Sequence, residues 1–329
     1  MNPRSRVRLG RTSLEVTRFG LGTAPLSGLY QAVPESQALA VISRAWDAGI
    51  RHFDTAPLYG FGLAEMRLGK ALEGKPREEF VLASKVGRLL RADAPPEPGQ
   101  NFQGTPSVNP VFDFTYDGVM RSVDESLERL HLDRIDILHI HDPDRHYDDA
   151  LHGAYKALDH LRSEGVVQAI GAGMNQAEML TRFAREGNFD CFLLAGRYTL
   201  LDQVALDELL PICVERGIAI IAAGVYNSGI LADPKPGARY NYTPAPAPLI
   251  ERARKIRAVC DSHGVPLKAA ALQFPLGHPS VSCVVVGCRS VDQLDESIRM
   301  FEIDIPQALW QELKDRDLVR EDAPTPRAR

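Results

Sequence analysis

Eight times along its 329 residues the chain passes from a short apolar run into a longer amphipathic stretch. Residues 18–22, 51–54, 80–85, 135–140, 167–171, 191–194, 218–222 and 282–286 read as buried strands. Helical patterns fall at about 36–48, 64–72, 118–130, 149–163, 178–185, 206–216 and 290–300. An extra helical pair, 248–263 and 266–276, lies between the last two strands. Several helices end on a readable stop, such as Ala48-Gly49-Ile50, Glu164-Gly165-Val166 and Arg216-Gly217-Ile218. There a glycine caps the last turn and the next apolar residues open a strand. Strand-then-helix units in unbroken order predict a parallel sheet, and eight of them close into a (β/α)8 or TIM barrel. An open doubly wound sheet is the alternative, but no G-x-G-x-x-G follows the first run. Val7-Arg8-Leu9 and Leu14-Glu15-Val16, around Gly10-Arg11-Thr12-Ser13, predict an N-terminal β-hairpin. The expected layout is one α/β domain over 1–320 with additional C-terminal helices, and a flexible charged tail over 321–329.

Composition narrows the function classes. Apolar residues at 44% and charged residues at 25% form an ordinary globular balance. A net charge of −5 argues against a general nucleic-acid binder. No apolar run reaches the roughly 18 residues that span a bilayer, so no membrane partner is expected. The basic start lacks the apolar core of a secretory signal. Five cysteines, at 191, 213, 260, 283 and 288, without a CxxC pair, fit reduced thiols in a cytoplasm. Two long stretches rich in proline and glycine, 87–115 and 226–247, each follow a strand. In a barrel both lie on the face where active sites form.

Four polar residues stand at or just beyond the ends of strands on that face. Arg51-His52-Phe53-Asp54 ends on a carboxylate, and Tyr59 follows five residues later. The run 80–85 ends on Lys85, and Ile137-Leu138-His139-Ile140-His141 ends on an imidazole. Singly, each has a plain structural explanation: a solvent-reaching lysine, a packing tyrosine, a hydrogen-bonded core histidine. Together around one mouth they form a proton-transfer relay. A free phenol titrates near ~10, and a cation within a few Å lowers that by roughly 1–3 units. Asp54 would hold Lys85 charged, and His141 would donate to a substrate oxygen. Tyr59 would pass a proton while a hydride moves on or off a nicotinamide.

The strings Gly49-Ile50-Arg51-His52-Phe53-Asp54-Thr55-Ala56-Pro57-Leu58-Tyr59-Gly60, Ser84-Lys85 and His139-Ile140-His141-Asp142 resemble the aldo-keto reductase family. The resemblance runs from the hairpin to the last helix, and it implies that Asp54, Tyr59, Lys85 and His141 are the catalytic tetrad. Residues 113–118, 193–201 and 223–229 are similar to a branch of NAD-dependent sugar 1-dehydrogenases, with pyridoxal 4-dehydrogenases beside them. The implied reaction is oxidation of a cyclic hemiacetal hydroxyl, in an aldose such as L-fucose or in pyridoxal, to a lactone. Reduction of an aldehyde or ketone with NADPH is the alternative.

The resemblance also implies a cofactor cradle of Gly22, Thr23, Asp54, Asn175, Arg197, Gly224 and Val225. Val286, Gly287, Cys288, Arg289, Gln293 and Ser297 would hold the adenosine phosphate end, where a helix start favours anions. Gly287 and Gln293 stand where NADP-selective relatives carry basic residues, which favours NAD. Arg289 keeps NADP open. Met174 replaces the usual serine, and Ala223 replaces the usual stacking aromatic, for which Tyr226 is the candidate substitute. Tyr30, Tyr59, His141, Tyr226 and Asn227 are the expected substrate contacts.

Two rival readings come from other classes. His139 and His141, with Asp142, Asp144 and His146, resemble the start of a barrel metal site. Later strands offer no inward His or Asp at their ends, so no metal is expected. The same fold could also serve as a non-catalytic nucleotide-sensing subunit.

Overall fold

The computed structural model describes residues 1–96, 99–241 and 243–327. The eight apolar runs are strands β1 Phe19–Gly22, β2 His52–Asp54, β3 Val81–Val86, β4 Ile137–His141, β5 Ala169–Met174, β6 Cys191–Ala195, β7 Ala219–Ala223 and β8 Val281–Gly287. They pair in parallel in sequence order, and β8 returns to β1 to close the barrel. Around it run α1 Glu35–Asp47, α2 Leu63–Leu72, α3 Tyr116–Leu130, α4 Tyr155–Ser163, α5 Glu178–Glu186 and α6 Leu209–Arg216. The extra pair is α7 Ala247–Ser262 and α8 Leu267–Gln273, and α9 Val291–Glu302 follows β8. A last helix, α10 Gln307–Asp315, had no separate expectation in the sequence pattern.

Local chemistry accounts for these boundaries. Thr115 caps α3 by accepting the Gly118 amide at 3.0 Å, and Val119, Ser122, Val123, Ser126 and Leu130 form its buried stripe. Gly217 closes α6 at φ 65°, a left-handed turn that costs a glycine nothing.

Strand residues alternate between two packing layers, which is why the strands read as unbroken apolar runs. Leu82, Leu138, Ile170, Phe192, Ile220 and Val284 face the helices. Val81, Ala83, Ile137, Ala169, Leu193, Ile221, Cys283 and Val285 point into the barrel. The N-terminal hairpin, Arg6–Arg8 paired with Glu15–Thr17, closes the barrel floor with Leu9, Leu14 and Val16 packed on that inner layer. Two carboxylates fasten the same end. Asp136, just before β4, accepts the Leu82 amide at 2.7 Å and pairs with Arg77 at 2.7 Å. Asp190, just before β6, accepts the Ile170 amide at 3.0 Å and pairs with Arg162 at 2.7 Å. Each buried charge keeps partners, as burial requires.

After α10, residues 323–326 lie against the body and Arg327 is exposed. Ala323 is fully buried, Pro324 O accepts the Tyr198 hydroxyl at 3.2 Å, and Pro326 O accepts Gln307 Nε2 at 2.5 Å. Apolar and hydrogen-bonded anchoring outweighs the local charge there; residues 328–329 lie outside the described residues. The stretch 87–115 is not wholly irregular: Arg88–Arg91 pairs antiparallel with Asn109–Phe112. Within the second stretch, Arg239–Tyr240 pairs with Thr243–Pro244. Residues 97, 98 and 242 of these stretches lie outside the description. No helix among the described residues is long and apolar enough to cross a membrane, and all five cysteines are free and buried.

Candidate active site

Inward alternation on β2, β3 and β4 puts His52 and Asp54, then Lys85, then His139 and His141, on the barrel interior near its C-terminal end. Space for the two lower imidazoles comes from neighbouring glycines. A Cβ on Gly20 would lie 2.9 Å from His52 Nδ1, and one on Gly171 would lie 2.6 Å from His139 Nδ1.

Lys85 is 1% exposed and its ammonium is fully engaged. Nζ donates to Asp54 Oδ1 at 2.8 Å, to Asp54 Oδ2 at 2.9 Å and to Thr55 O at 2.8 Å. Burial pushes the Asp54 carboxyl up, while the Lys85 charge and hydrogen bond pull it down. Thr23 holds the Asp54 backbone, donating its amide and its hydroxyl to Asp54 O, both at 3.0 Å. The Tyr59 ring sits over this pair, with Lys85 Nζ 4.6 Å from its centroid. His141 meets Tyr59 edge-on, ring centroids 5.7 Å apart. Burial first, then the charges of Lys85 and Arg88, hold the His141 imidazole well below its ordinary range. It is therefore neutral at physiological pH, able to donate one N–H without adding charge. Beneath it, His139 is lowered in the same way, and His52 is brought down to about 4. The layer under Lys85 is thus uncharged.

These four side chains line a cavity of about 400 Å³ that also takes in Gly22, Leu58, Arg88, Phe102, Asp142, Met174 and Leu193. Through Asn175, Ala195, Gly224 and Gly287 it adjoins a second cleft of about 430 Å³. Val225, Val286, Cys288, Arg289, Gln293 and Ser297 line that cleft, so most of the expected cofactor residues share one surface. Ser290 caps α9 by accepting the Gln293 amide at 3.3 Å, and this helix end carries positive partial charge. The cleft also holds Glu296, paired with Lys268 at 2.8 Å. An elongated cleft with amide, hydroxyl and guanidinium donors at one end and the tetrad at the other fits a dinucleotide.

Several expected residues stand elsewhere. Thr23 lines neither cavity and supports Asp54 instead. Arg197 also lines neither; it donates to Asn241 Oδ1 at 2.9 Å and pairs with Asp202 at 3.6 Å. Tyr30, Tyr226 and Asn227 line the dinucleotide cleft rather than the tetrad cavity. The Tyr226 phenol is hydrogen-bonded to Ser297, and burial pushes it above its ordinary range. Ala223 lines the tetrad cavity. Of the proposed metal cluster, His139 lies under Lys85, whereas His146 packs on Phe112 and Phe114 at 4.9 and 5.5 Å. Among the described residues no group of three or more His, Cys, Asp or Glu is placed to hold a metal ion.

Other lining residues had little sequence signal. Phe102 reaches Tyr59 at 6.3 Å between ring centroids and Phe61 at 6.2 Å. Its loop is tied to the loop after β1 by a Leu29–Phe102 bridge and by the Tyr30 amide on Asn101 O at 2.7 Å. Only that tertiary contact reveals it. Asp142 directly follows the strand that carries His141, and Arg88 stands two residues beyond the strand that carries Lys85; that nearness was the available clue.

A family model described as the Aldo/keto reductase family matches residues 18–317. The chain belongs to this family. Similar proteins include a D-threo-aldose 1-dehydrogenase from a Pseudomonas species, 46% identical over 95% of this chain and 96% of that protein. A pyridoxal 4-dehydrogenase from Microbacterium luteolum is 44% identical over 94% and 97%, and an L-galactose dehydrogenase from Arabidopsis thaliana is 33% identical over 88% and 86%. The holo form of a Bacillus halodurans aldo-keto reductase shares the fold, with a TM-score of 0.77 over 97% of this chain and 99% of that one, at 24% identity. The chain is therefore an oxidoreductase of the aldo-keto reductase type, and the family implies a nicotinamide dinucleotide cofactor.

Proposed function

We propose that this aldo-keto reductase oxidises the anomeric hydroxyl of an aldose in its cyclic hemiacetal form to the lactone, with NAD as the preferred cofactor. The observation that carries the reading is the buried Asp54–Lys85 pair under Tyr59, in a cavity that runs into a cleft suited to a dinucleotide. The 46% identity to a D-threo-aldose 1-dehydrogenase supports the substrate class.

When bound, the nicotinamide supplies the acceptor for the hydride of the anomeric carbon. The protein's own residues manage the proton and the oxygen. Tyr59 Oη takes the hydroxyl proton, and Lys85 stabilises the phenolate that makes this favourable. Asp54 keeps Lys85 aimed and charged. Neutral His141 donates a hydrogen bond to the reacting oxygen, fixing its position against Tyr59. Gly22, Asn175 and Gly224 would border the nicotinamide end, and Arg289, Gln293, Glu296 and Ser297 the adenosine end.

Two features support NAD over NADP. Arg289 donates through Nη2 to Leu29 O at 3.0 Å, which turns one edge of its guanidinium to a loop. Gly287 and Gln293, which line the same cleft, bring no charge to a 2′-phosphate. A second reading, pyridoxal 4-dehydrogenase, is favoured by the 44% identity to such an enzyme and by the aromatic Phe102 in the cavity.

The test is spectrophotometric. The protein is incubated with NAD or NADP and a panel of aldoses, including L-fucose, and pyridoxal, and formation of reduced cofactor is followed. NAD-linked oxidation of an aldose is the expected result. Turnover of pyridoxal alone would favour the second reading, and cofactor binding without turnover would refute the enzymatic one.

A further inference from the structure

The two ring nitrogens of His141 have different surroundings. Nδ1 is buried and has no hydrogen-bond partner among the described residues. Nε2 lies 3.6 Å from Oδ2 of Asp142, and both side chains line the tetrad cavity. Asp142 directly follows β4, where continued alternation after the inward-facing His141 would turn its side chain toward the helices. Its backbone is instead left-handed, at φ 43°, while its amide still bonds Gly173 O at 3.1 Å. That turn brings the carboxylate back beside the imidazole, and aspartate tolerates it better than most residues.

A neutral imidazole carries one proton; the nitrogen that holds it donates, and the other only accepts. The two tautomers of His141 therefore differ in function. With the proton on Nε2 the ring can donate into the cavity, whereas with the proton on Nδ1 it offers the reacting oxygen only a lone pair. No protein group at Nδ1 among the described residues fixes the choice. A negative charge beside Nε2 does, because an N–H facing a carboxylate is favoured over a lone pair facing it. The separation matters as well. At 3.6 Å the contact is longer than a hydrogen bond, so the carboxylate biases the proton and leaves the N–H available to a ligand.

We propose that Asp142 is a positioning residue that holds His141 in its Nε2–H tautomer, the form that donates to the reacting oxygen. The role rests on the hemiacetal oxidation proposed above, in which that donor fixes the oxygen against Tyr59. It requires Asp142 to be ionised. The charged and titratable groups acting on the pair are Lys85 on β3, Arg88 beyond it, His139 beneath and Asp144 two residues on. Burial and Asp144 raise the Asp142 carboxyl, Arg88 and Lys85 oppose them, and it titrates at about 6. The carboxylate is present above that pH and lost as pH falls through it. His141, held well below its ordinary range, stays neutral there, so the ring changes its tautomer and not its charge.

The test reads the tautomer directly. Long-range proton–nitrogen NMR of histidine-labelled protein distinguishes Nε2–H from Nδ1–H, with the His141 signals assigned by their absence in His141→Gln. The wild type should show Nε2–H well above the Asp142 titration and lose that preference below it. Asp142→Asn, which keeps the side-chain shape and tolerates the left-handed backbone, should show a mixture or Nδ1–H throughout. A nearby charge moves a protonation equilibrium by about 1–3 pK units, and moving a proton across one ring takes the low end. kcat for an accepted aldose with NAD should therefore fall about tenfold, with KM and NAD affinity within about threefold. Asp144→Asn should keep the tautomer and the turnover, and shift the acid limb to lower pH. A wild-type His141 protonated on Nδ1, a tautomer unchanged in Asp142→Asn, an unchanged kcat or a loss confined to KM each overturn the assignment. If the wild type oxidises no aldose, the oxidation reading fails separately, and the NMR measurement, which needs no substrate, still decides the role of Asp142.

Discussion

Replacing Lys85 with methionine tests the electrostatic logic of the site apart from its chemistry. The substitution removes three hydrogen bonds and the charge facing Asp54, whose side chain is 5% exposed. A buried carboxylate stripped of its partner costs about 3–5 kcal/mol if it stays ionised. With an unfolding entropy of roughly 2.1 cal/mol/K per residue, that corresponds to a fall of about 4–7 °C in Tm for this chain length. The alternative is protonation. Burial already pushes Asp54 up against the pull of Lys85, so in the variant only the upward push remains. The folded state then holds a proton that the unfolded chain, titrating near its ordinary 3.8, has released. A native state that binds more protons loses stability as pH rises. The deficit is therefore smallest near pH 4, grows as pH climbs, and levels off above the raised folded value.

Adding Asp54→Asn to Lys85→Met removes the charge that lost its partner. The double variant should regain most of the loss at pH 8 and show a flat pH response, while both variants remain without turnover. Thermal unfolding of the wild type and the two variants at pH 5 and pH 8, followed by circular dichroism, checks this. A pH-independent deficit in Lys85→Met, or no recovery in the double variant, would refute the buried-pair account.

Three further outcomes are expected. Tyr59→Phe should lower turnover by about 10²- to 10⁴-fold, the usual contribution of a positioned proton-transfer group, with NAD affinity by fluorescence titration nearly unchanged; near-normal turnover would remove Tyr59 from that role. Burial and Asp144 raise Asp142 to about 6 against Arg88 and Lys85, so kcat/KM for an aldose should climb as pH rises through about 6, and Asp142→Asn should lack that limb. A limb that persists in the variant would assign it to another group, with Asp54 the first to examine. Glu65, fully buried, pairs with Arg129 at 2.7 Å and accepts the Ser84 hydroxyl at 2.8 Å, so Glu65→Ala should cost about 3 kcal/mol, the low end for breaking a buried pair whose cation keeps some exposure. A denaturant-derived loss below about 1 kcal/mol would contradict that.

The parts legible in the sequence were those encoded by short-range periodicity. Eight apolar runs, their helices and the hairpin all fall within a few residues of their expected places, because strand burial and helix stops are local properties. The convergence of Asp54, Tyr59, Lys85 and His141 on one cavity was legible because they sit at or beside strand ends, where the barrel leaves little freedom. The misplaced residues sit where loops fold over the site. Tyr226 was a candidate for the tetrad cavity, yet its side chain turns to Ser297. Arg197 was a candidate for the cofactor, yet the second excursion supplies Asn241 and captures it. Phe102 carried no signal, since its place over Tyr59 depends on pairing with Leu29. Each is decided by contact between segments distant in sequence.

A polar site inside a barrel must also leave its mark on the scaffold. The polar stack on β2, β3 and β4 occupies interior positions that the other strands fill with aliphatic side chains. Room for it comes from the strands on either side. β1 turns Gly20 and Gly22 inward, and β5 turns Gly171 and Gly173, each pair spaced by two residues, as inward-facing positions are. A Cβ at Gly20 or Gly171 would lie against an imidazole, and one at Gly173 would sit 3.6 Å from Lys85 Cε. Both lower histidines are held neutral by burial, so they fill space beneath Lys85 without repelling it. Gly20 and Gly171 are thus the scaffold's counterpart of the polar stack: a side chain at either would press on the imidazole layer beneath Lys85, before any cavity-lining residue had changed.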